Sequence, residues 1–157
     1  AVAAAAGRGL VLDADALTSF AGQAPLLAAH LADGDARAVL TPHAGEFDAM
    51  FGRCSGSKID RTEAAAELTG AVVVHKGPDT VIAAPDGRVI VHSGSSSWLS
   101  TAGTGDVLAG VIGARLAAGL EPMEAAVQGV WLHAEAARRA GAAFIADDLV
   151  DHLTLTA

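Results

Sequence analysis

The chain has 157 residues, 52% of them hydrophobic and 18% charged, with a formal net charge of −8. That balance excludes a disordered chain and can supply one core, so a single domain over residues 1–157 is expected. With only two lysines, Lys58 and Lys76, a broad nucleic-acid surface is excluded, and Arg115 interrupts the longest apolar stretch, Val107–Leu120, which excludes a membrane span there.

Ala1–Ala6 is too short for a signal segment and has no basic residues before it. Gly9–Asp13 then predicts a short buried strand ending in an acid. Thr18 or Ser19 is placed to cap a helix running to about His30, with Phe20, Leu26, Leu27 and Leu31 near helical spacing. Asp33-Gly34-Asp35 is a turn, and Arg37–Thr41 a second strand stopped by Pro42. A short helix follows over Ala44–Phe51, closed by Gly52. Arg53–Lys58 is a loop carrying Cys54. As the only cysteine, Cys54 excludes an internal disulfide and a cysteine-built zinc cluster, and it points to a reducing, cytoplasmic setting. Asp60 or Thr62 caps a helix through Leu68, with Gly70 at its end.

Val72-Val73-Val74 is a β-branched strand. Thr80–Ala84 and Arg88–His92 form a hairpin about Pro85-Asp86-Gly87. A Gly/Ser loop over Ser93–Gly103 holds Trp98 and Leu99, with Trp98 either covering a ligand or anchoring its loop. Thr104–Ala118, about Met123–Arg139 after Pro122, and Ala146–Leu153 are the remaining helices. Val127, Val130, Trp131 and Ala134 mark the core face of the second of these, and His133 and Glu135 are scaffold. Alternating strands and helices imply an α/β sheet, made mixed by the hairpin.

Three segments are suited to chemistry. Thr101–Gly110 places Gly103, Thr104 and Gly105 at a helix N-terminus, where free amides and the helix dipole form an anion hole for phosphate. Asp106, in the first turn, can take a proton from a hydroxyl, or can serve as an ordinary capping acid. Thr41-Pro-His-Ala-Gly-Glu46 puts His43 at the C-terminal end of a strand, as a ligand contact or as a surface histidine near a cap. Lys76, Gly77, Pro78, Asp79 and Thr80 either line a nucleotide pocket or form a plain Gly-Pro turn. Asp13 and Asp15 can face the site or order a magnesium water shell, with helix capping favoured for Asp15. Dinucleotide, Walker A, nucleophile-elbow and histidine-zinc patterns all fail on spacing, and no protein-built metal site is expected.

In order, Leu12–Leu17, Thr41–Glu46, Lys76–Thr80, Ala102–Gly110 and Gly129–His133 resemble the NAD(P)H-hydrate dehydratases of the ribokinase-like superfamily over nearly the whole chain. The T-P-H-x-G-E segment discriminates this family, while G-T-G-D marks only the superfamily. Members usually have proline where Ala44 stands, and Ser95–Trp98 is bulkier than usual. The resemblance implies a three-layer α/β/α fold with a mostly parallel sheet and a hairpin. It implies dehydration of hydrated NADH or NADPH driven by ADP or ATP, with Mg2+ arriving on the nucleotide. His43 and Asp106 would contact the hydrated substrate, Asp106 as the catalytic base. Lys76, Gly77, Pro78, Asp79, Thr80 and Gly105 would line the nucleotide. Partners implied are a homo-oligomer and a fused or separate epimerase. The family's first strands have no counterpart here, so the chain is expected to be the C-terminal portion of a larger domain. A ribokinase-like kinase for a sugar or vitamin alcohol, and a nucleotide-binding chain without turnover, share the same anion hole.

Overall fold

The structure is a computed structural model and describes residues 8–33, 37–53 and 55–153. Cys54 and most of the predicted Asp33–Asp35 turn lie outside the described residues.

The elements are β1 (Gly9–Leu12), α1 (Asp15–Thr18), α2 (Ala24–Ala32), β2 (Arg37–Leu40), α3 (Ala44–Phe51) and α4 (Lys58–Thr69). Then come β3 (Val72–His75), β4 (Asp79–Ala83), β5 (Val89–Ser93), a 3-10 turn (Ser97–Ser100), α5 (Thr104–Ala117), α6 (Pro122–Ala140) and α7 (Ala146–His152). One five-stranded sheet runs in the order β1-β2-β3-β4-β5. The pairings β1–β2 and β2–β3 are parallel, and β3–β4 and β4–β5 are antiparallel. The sheet is therefore mixed, with its parallel half at the front of the chain.

Side chains alternate across the strands, so each strand feeds two cores. On one face Ala38, Leu40, Val73 and Ala83 pack with Leu27, Leu31, Phe47, Met50 and Ala66 from α2, α3 and α4. On the other, Val39, Val72, Val74 and Ile82 pack with Leu108, Ile112, Leu116, Met123 and Val130 from α5 and α6. Helices cover both faces, which is the three-layer α/β/α arrangement. The α5–α6 contact is close: a Cβ on Gly129 would stand 2.5 Å from Ile112 Cγ1. A third cluster, with Ala136, Ala137, Phe144 and Leu149, seats α7 against α6. Among the described residues no helix is long and apolar enough to cross a membrane.

Several local expectations change. The helix predicted from Thr18 or Ser19 to His30 is two pieces, α1 and α2. Pro25 has no N–H to donate and sits in the first turn of α2, so that helix starts at Ala24, and Gly22 turns the chain before it with φ 68°. Asp15 is not a cap. It is the first residue of α1, and the residue before it, Ala14, takes φ 47° and ψ −120°. Ser57, rather than Asp60 or Thr62, caps α4, in a capping box where Asp60 answers its backbone N–H. Gly70 closes α4 in the left-handed region, as its position implied. Trp131 is 53% exposed. The core face of α6 instead runs through Met123, Ala126, Val130 and Ala137, because α5 and the sheet cover it from one side.

Candidate functional site

Three parallel strands deliver their C-terminal ends to one edge of the sheet. Asp13 follows β1, His43 follows β2 and Lys76 follows β3. The ends are tied in sequence. Thr41 N–H donates to the Leu12 carbonyl at 3.0 Å, and Lys76 N–H donates to the Pro42 carbonyl at 2.8 Å. The turn opening α5 closes over them.

Lys76 is the hub. Its Nζ lies 2.8 Å from Asp13 Oδ1 and 4.0 Å from Glu46 Oε2. Glu46 is buried despite its charge, and its other duty is local: it accepts the His43 N–H at 2.8 Å. His43 Nδ1 accepts from the Gly45 and Glu46 amides at 3.0 and 3.2 Å. His43 is thus the cap of α3, in a full capping box. With Nδ1 accepting, a neutral ring carries its proton on Nε2. That nitrogen lies 3.4 Å from Glu46 Oε1 on a side chain that is 60% exposed, so it offers a donor to the cleft. The cap reading of His43 is the one the hydrogen bonds show, and it leaves Nε2 unused by the cap.

At the α5 N-terminus Gly103 has φ 86°, and a Cβ there would lie 3.0 Å from that of Ala146. Both constraints select glycine. The Thr104 amide is used locally, donating to the Thr101 carbonyl at 3.3 Å. The Thr104 hydroxyl lies 2.6 Å from the Leu99 carbonyl oxygen and 2.8 Å from that of Thr101, which ties the helix to the 3-10 turn. Among the described residues the Gly105 and Asp106 amides have no hydrogen-bond partner. Of the positions expected to form an anion hole, Gly103, Thr104 and Gly105, only Thr104 spends its amide locally among the described residues. A Cβ on Gly105 would meet Lys76 Nζ at 3.5 Å and Asp13 Oδ2 at 3.6 Å, so the ammonium sits directly beside the free amides. Helix dipole, amides and cation all favour a phosphate there. Asp106 is exposed in the first turn of α5 and makes no capping bond.

The cleft is about 580 Å³. Of the residues singled out in the sequence it gathers His43, Lys76, Gly77, Pro78, Thr80, Thr104 and Gly105. Gly103 and Asp106 flank it. Asp79 is turned aside to Lys58, 3.6 Å from its Nζ. Leu99, Leu108, Val130 and His133 also line the cleft. His133 was expected to be scaffold, yet it lines this cleft. It is 7% exposed, and its Nε2 has no protein partner. Burial pushes its pKa down to about 4, against hydrogen bonding to the Thr104 backbone, so the ring is neutral. Packing brings Lys58 behind the cleft with no local motif to signal it, whereas Glu46 and His133 stand in the Thr41–Glu46 and Gly129–His133 segments, which assigned neither of them a site role. Glu135 does behave as scaffold: Arg138 and Arg139 hold it, lowering its pKa to about 2. Trp98 is exposed in the 3-10 turn at the rim. A second groove of about 440 Å³, between β5 and α6, is lined mainly by Val89, Ile90, Met123 and Val127 and carries no comparable chemistry.

Among the described residues no group of three or more His, Cys, Asp or Glu is placed to hold a metal. The Asp13 and Glu46 carboxylates both face Lys76.

Comparison with known proteins agrees with this geometry. The sequence profile of the NAD(P)H-hydrate dehydratases matches residues 2–156. The bifunctional NAD(P)H-hydrate repair enzyme Nnr of Mycobacterium leprae is 45% identical over 131 residues, covering 82% of this chain and 26% of its own. The ADP-dependent (S)-NAD(P)H-hydrate dehydratase of Neisseria meningitidis is 42% identical over 132 residues, covering 82% of this chain and 44% of its own. The chain superimposes on the ADP/ATP-dependent NAD(P)H-hydrate dehydratase of Bacillus subtilis, crystallised with ATP and Mg2+, with a TM-score of 0.79 and 29% identity. That match covers 92% of this chain and 52% of the Bacillus protein. The chain thus spans less than half the length of these curated relatives, and about half of the solved one.

Proposed function

The chain belongs to the NAD(P)H-hydrate dehydratase family, and from that premise we propose that its cleft takes an adenine nucleotide and hydrated NADH or NADPH and supports nucleotide-driven dehydration. The observation that carries the reading is the meeting, at one sheet edge, of the Lys76 ammonium with the free Gly105 and Asp106 amides. This is a phosphate site without net positive charge on the protein, and phosphoryl transfer depends chiefly on such positioning.

In this reading Lys76, Gly77, Pro78, Thr80 and Gly105 line the nucleotide, and Asp79 does not. Asp106, at the mouth, takes the proton from the substrate's ring hydroxyl as its oxygen attacks the terminal phosphorus. The phosphoanhydride bond breaks, and the nucleotide leaves one phosphate shorter. Cleavage of the ring C–O bond then expels phosphate. The adjacent carbon loses a proton, which restores the ring double bond. His43 Nε2–H donates to the substrate and holds it beside Asp106. The neutral His133 ring adds no charge to the cleft wall. A magnesium ion carried by the nucleotide would offset phosphate charge. Asp13 and Glu46, which face Lys76, are the protein carboxylates that would stand beside it. Homo-oligomerisation, a fused or separate epimerase and a cytoplasmic setting belong to the same proposal; two relatives named as bifunctional support the second.

The test is incubation of the chain with hydrated NADPH and ADP or ATP, following the return of reduced-nicotinamide absorbance. Asp106→Ala is expected to lower turnover by about 10²–10⁴-fold while ADP affinity changes little. Phosphorylated product without recovered absorbance would point to a kinase instead. An Asp106→Ala protein that turns over like the wild type would remove Asp106 from the chemistry.

A further inference from the structure

The other lysine, Lys58, stands behind the cleft and is absent from its lining. It is the first residue of α4, and its side chain reaches across to the connection between β3 and β4. There its Nζ donates to the Asp79 carbonyl and, at 3.4 Å, to the Lys76 carbonyl. The Asp79 carboxylate lies 3.6 Å away. The ammonium therefore fills the concave side of the turn that carries Gly77 and Pro78. A Cβ on Gly77 would stand 2.7 Å from it, so a side chain at 77 and the ammonium compete for one space.

This arrangement fixes a direction. All described peptide bonds are trans, and in a planar trans peptide the C=O and the following N–H point opposite ways. Lys58 holds the Lys76 carbonyl towards α4, so the Gly77 N–H of the same peptide is turned to the other side, where Gly77 lines the cleft. Among the described residues that N–H has no hydrogen-bond partner. It is a further free amide, in the cleft that Gly105 also lines. Glycine-containing turns flip their peptides easily, and nothing else described holds this carbonyl.

We infer that Lys58 is a positioning residue for nucleotide binding: it locks the Lys76–Gly77 peptide so that the Gly77 amide is presented to an anionic ligand. The inference rests on the nucleotide reading of the cleft and adds the residue that pre-organises its Gly77 amide. Burial lowers the Lys58 pKa, and the charge and hydrogen bond of Asp79 oppose this.

The test uses Lys58→Met, which keeps the chain length and removes the donors, and Gly77→Ala, which displaces the ammonium. Binding of ADP, adenosine and NADPH to the full chain is followed by calorimetry. Hydrogen exchange is read at residues 76–80, and melting temperature checks the fold. Losing a hydrogen bond to a charged group corresponds to about a 10–100-fold rise in Kd for ADP. Adenosine and NADPH binding should stay within about threefold, a split that a merely structural loss would not produce. Exchange at 76–80 should quicken in Lys58→Met without ligand. Because both substitutions remove the same contact, the double variant should be no weaker than the worse single one. Unchanged ADP affinity and exchange in Lys58→Met, with wild-type ADP binding intact, overturns the inference and leaves the nucleotide site standing. An equal loss for all three ligands also overturns it. A wild-type chain that binds no ADP overturns both.

Discussion

Lowering the pH from 7 should destabilise this protein through two histidines before its carboxylates take part. His75, on β3, is 3% exposed, lies stacked on Phe47 at 4.1 Å between ring centroids, and has its Nδ1 3.2 Å from the Thr62 hydroxyl. Burial, then the nearby Lys58 and Arg61 charges, push its pKa down to about 4. His133 reaches the same value through burial. Both are neutral in the folded chain, whereas in the unfolded chain each protonates near 6.5. Their contribution is therefore fully present above about pH 6.5 and drains away as the pH falls towards 4. Each histidine adds a slope of up to about 1.4 kcal/mol per pH unit, so by pH 5 each costs about 2 kcal/mol. Against a typical 5–15 kcal/mol in total, that is a large loss. Asp48, Asp60, Asp86 and Glu135 are held below their ordinary values by hydrogen bonds, with arginines the main partners except at Asp60, where Ser57 is. Their contributions persist above the unfolded carboxylate range and fall away below about pH 4.5, leaving a window that belongs to the histidines. Urea denaturation at pH 7, 6, 5.5 and 5 measures the slope. His75→Asn keeps an acceptor near Thr62 but loses the stack, which costs about 0.5–1.5 kcal/mol at every pH. It should start less stable at pH 7, show about half the wild-type slope, and match or exceed the wild type at pH 5. A His75→Asn slope equal to that of the wild type would refute the argument.

Two backbone positions give complementary tests. Gly105→Ala places a Cβ in ordinary contact with Lys76 and Asp13, and alanine suits a helix, so stability by urea denaturation should change by less than about 0.5–1 kcal/mol. ADP affinity by calorimetry should nonetheless fall about tenfold or more, because the methyl occupies the approach to the free amides; unchanged affinity would place the phosphate elsewhere. Ala14 holds a backbone conformation that glycine adopts more readily, so Ala14→Gly should raise stability by about 1 kcal/mol after the greater entropy of an unfolded glycine is counted, and a destabilised variant would show that the conformation carries no strain.

The parts of the fold legible in the sequence were those with a local cause. The Val72–Val74 run, the Pro85–Gly87 turn, Pro122 at the start of α6 and Gly70 at the end of α4 each act within a few residues, and each stands where expected. The helix from Thr18 to His30 failed because apolar spacing was weighed above Pro25, whose missing N–H decides the boundary. Trp131 was misplaced because the buried face of α6 depends on which side α5 and the sheet approach. The site divides in the same way. His43, Lys76 and the glycine turn were visible because strand ends and helix starts have sequence signatures, whereas the neighbours that give them their chemistry arrive from distant positions.

On the proposed reading, those distant neighbours explain how an acidic protein with two lysines builds an anion site. Lys76 alone would be neutralised by Asp13 and Glu46, which outnumber it. The attraction for phosphate must then come from oriented dipoles: the Gly105 and Asp106 amides at the start of α5, and the Gly77 amide in the cleft that Gly105 also lines. Amides cannot be neutralised by nearby acids, but they can be turned away. Each set accordingly has a device fixing its direction. The Thr104 hydroxyl ties the α5 start to the Leu99 and Thr101 carbonyls, and Lys58 grips the Lys76 and Asp79 carbonyls. One lysine sits in the site as a balanced charge and the other stands behind it as a clamp. Exchanging their roles would leave the composition unchanged and destroy the site.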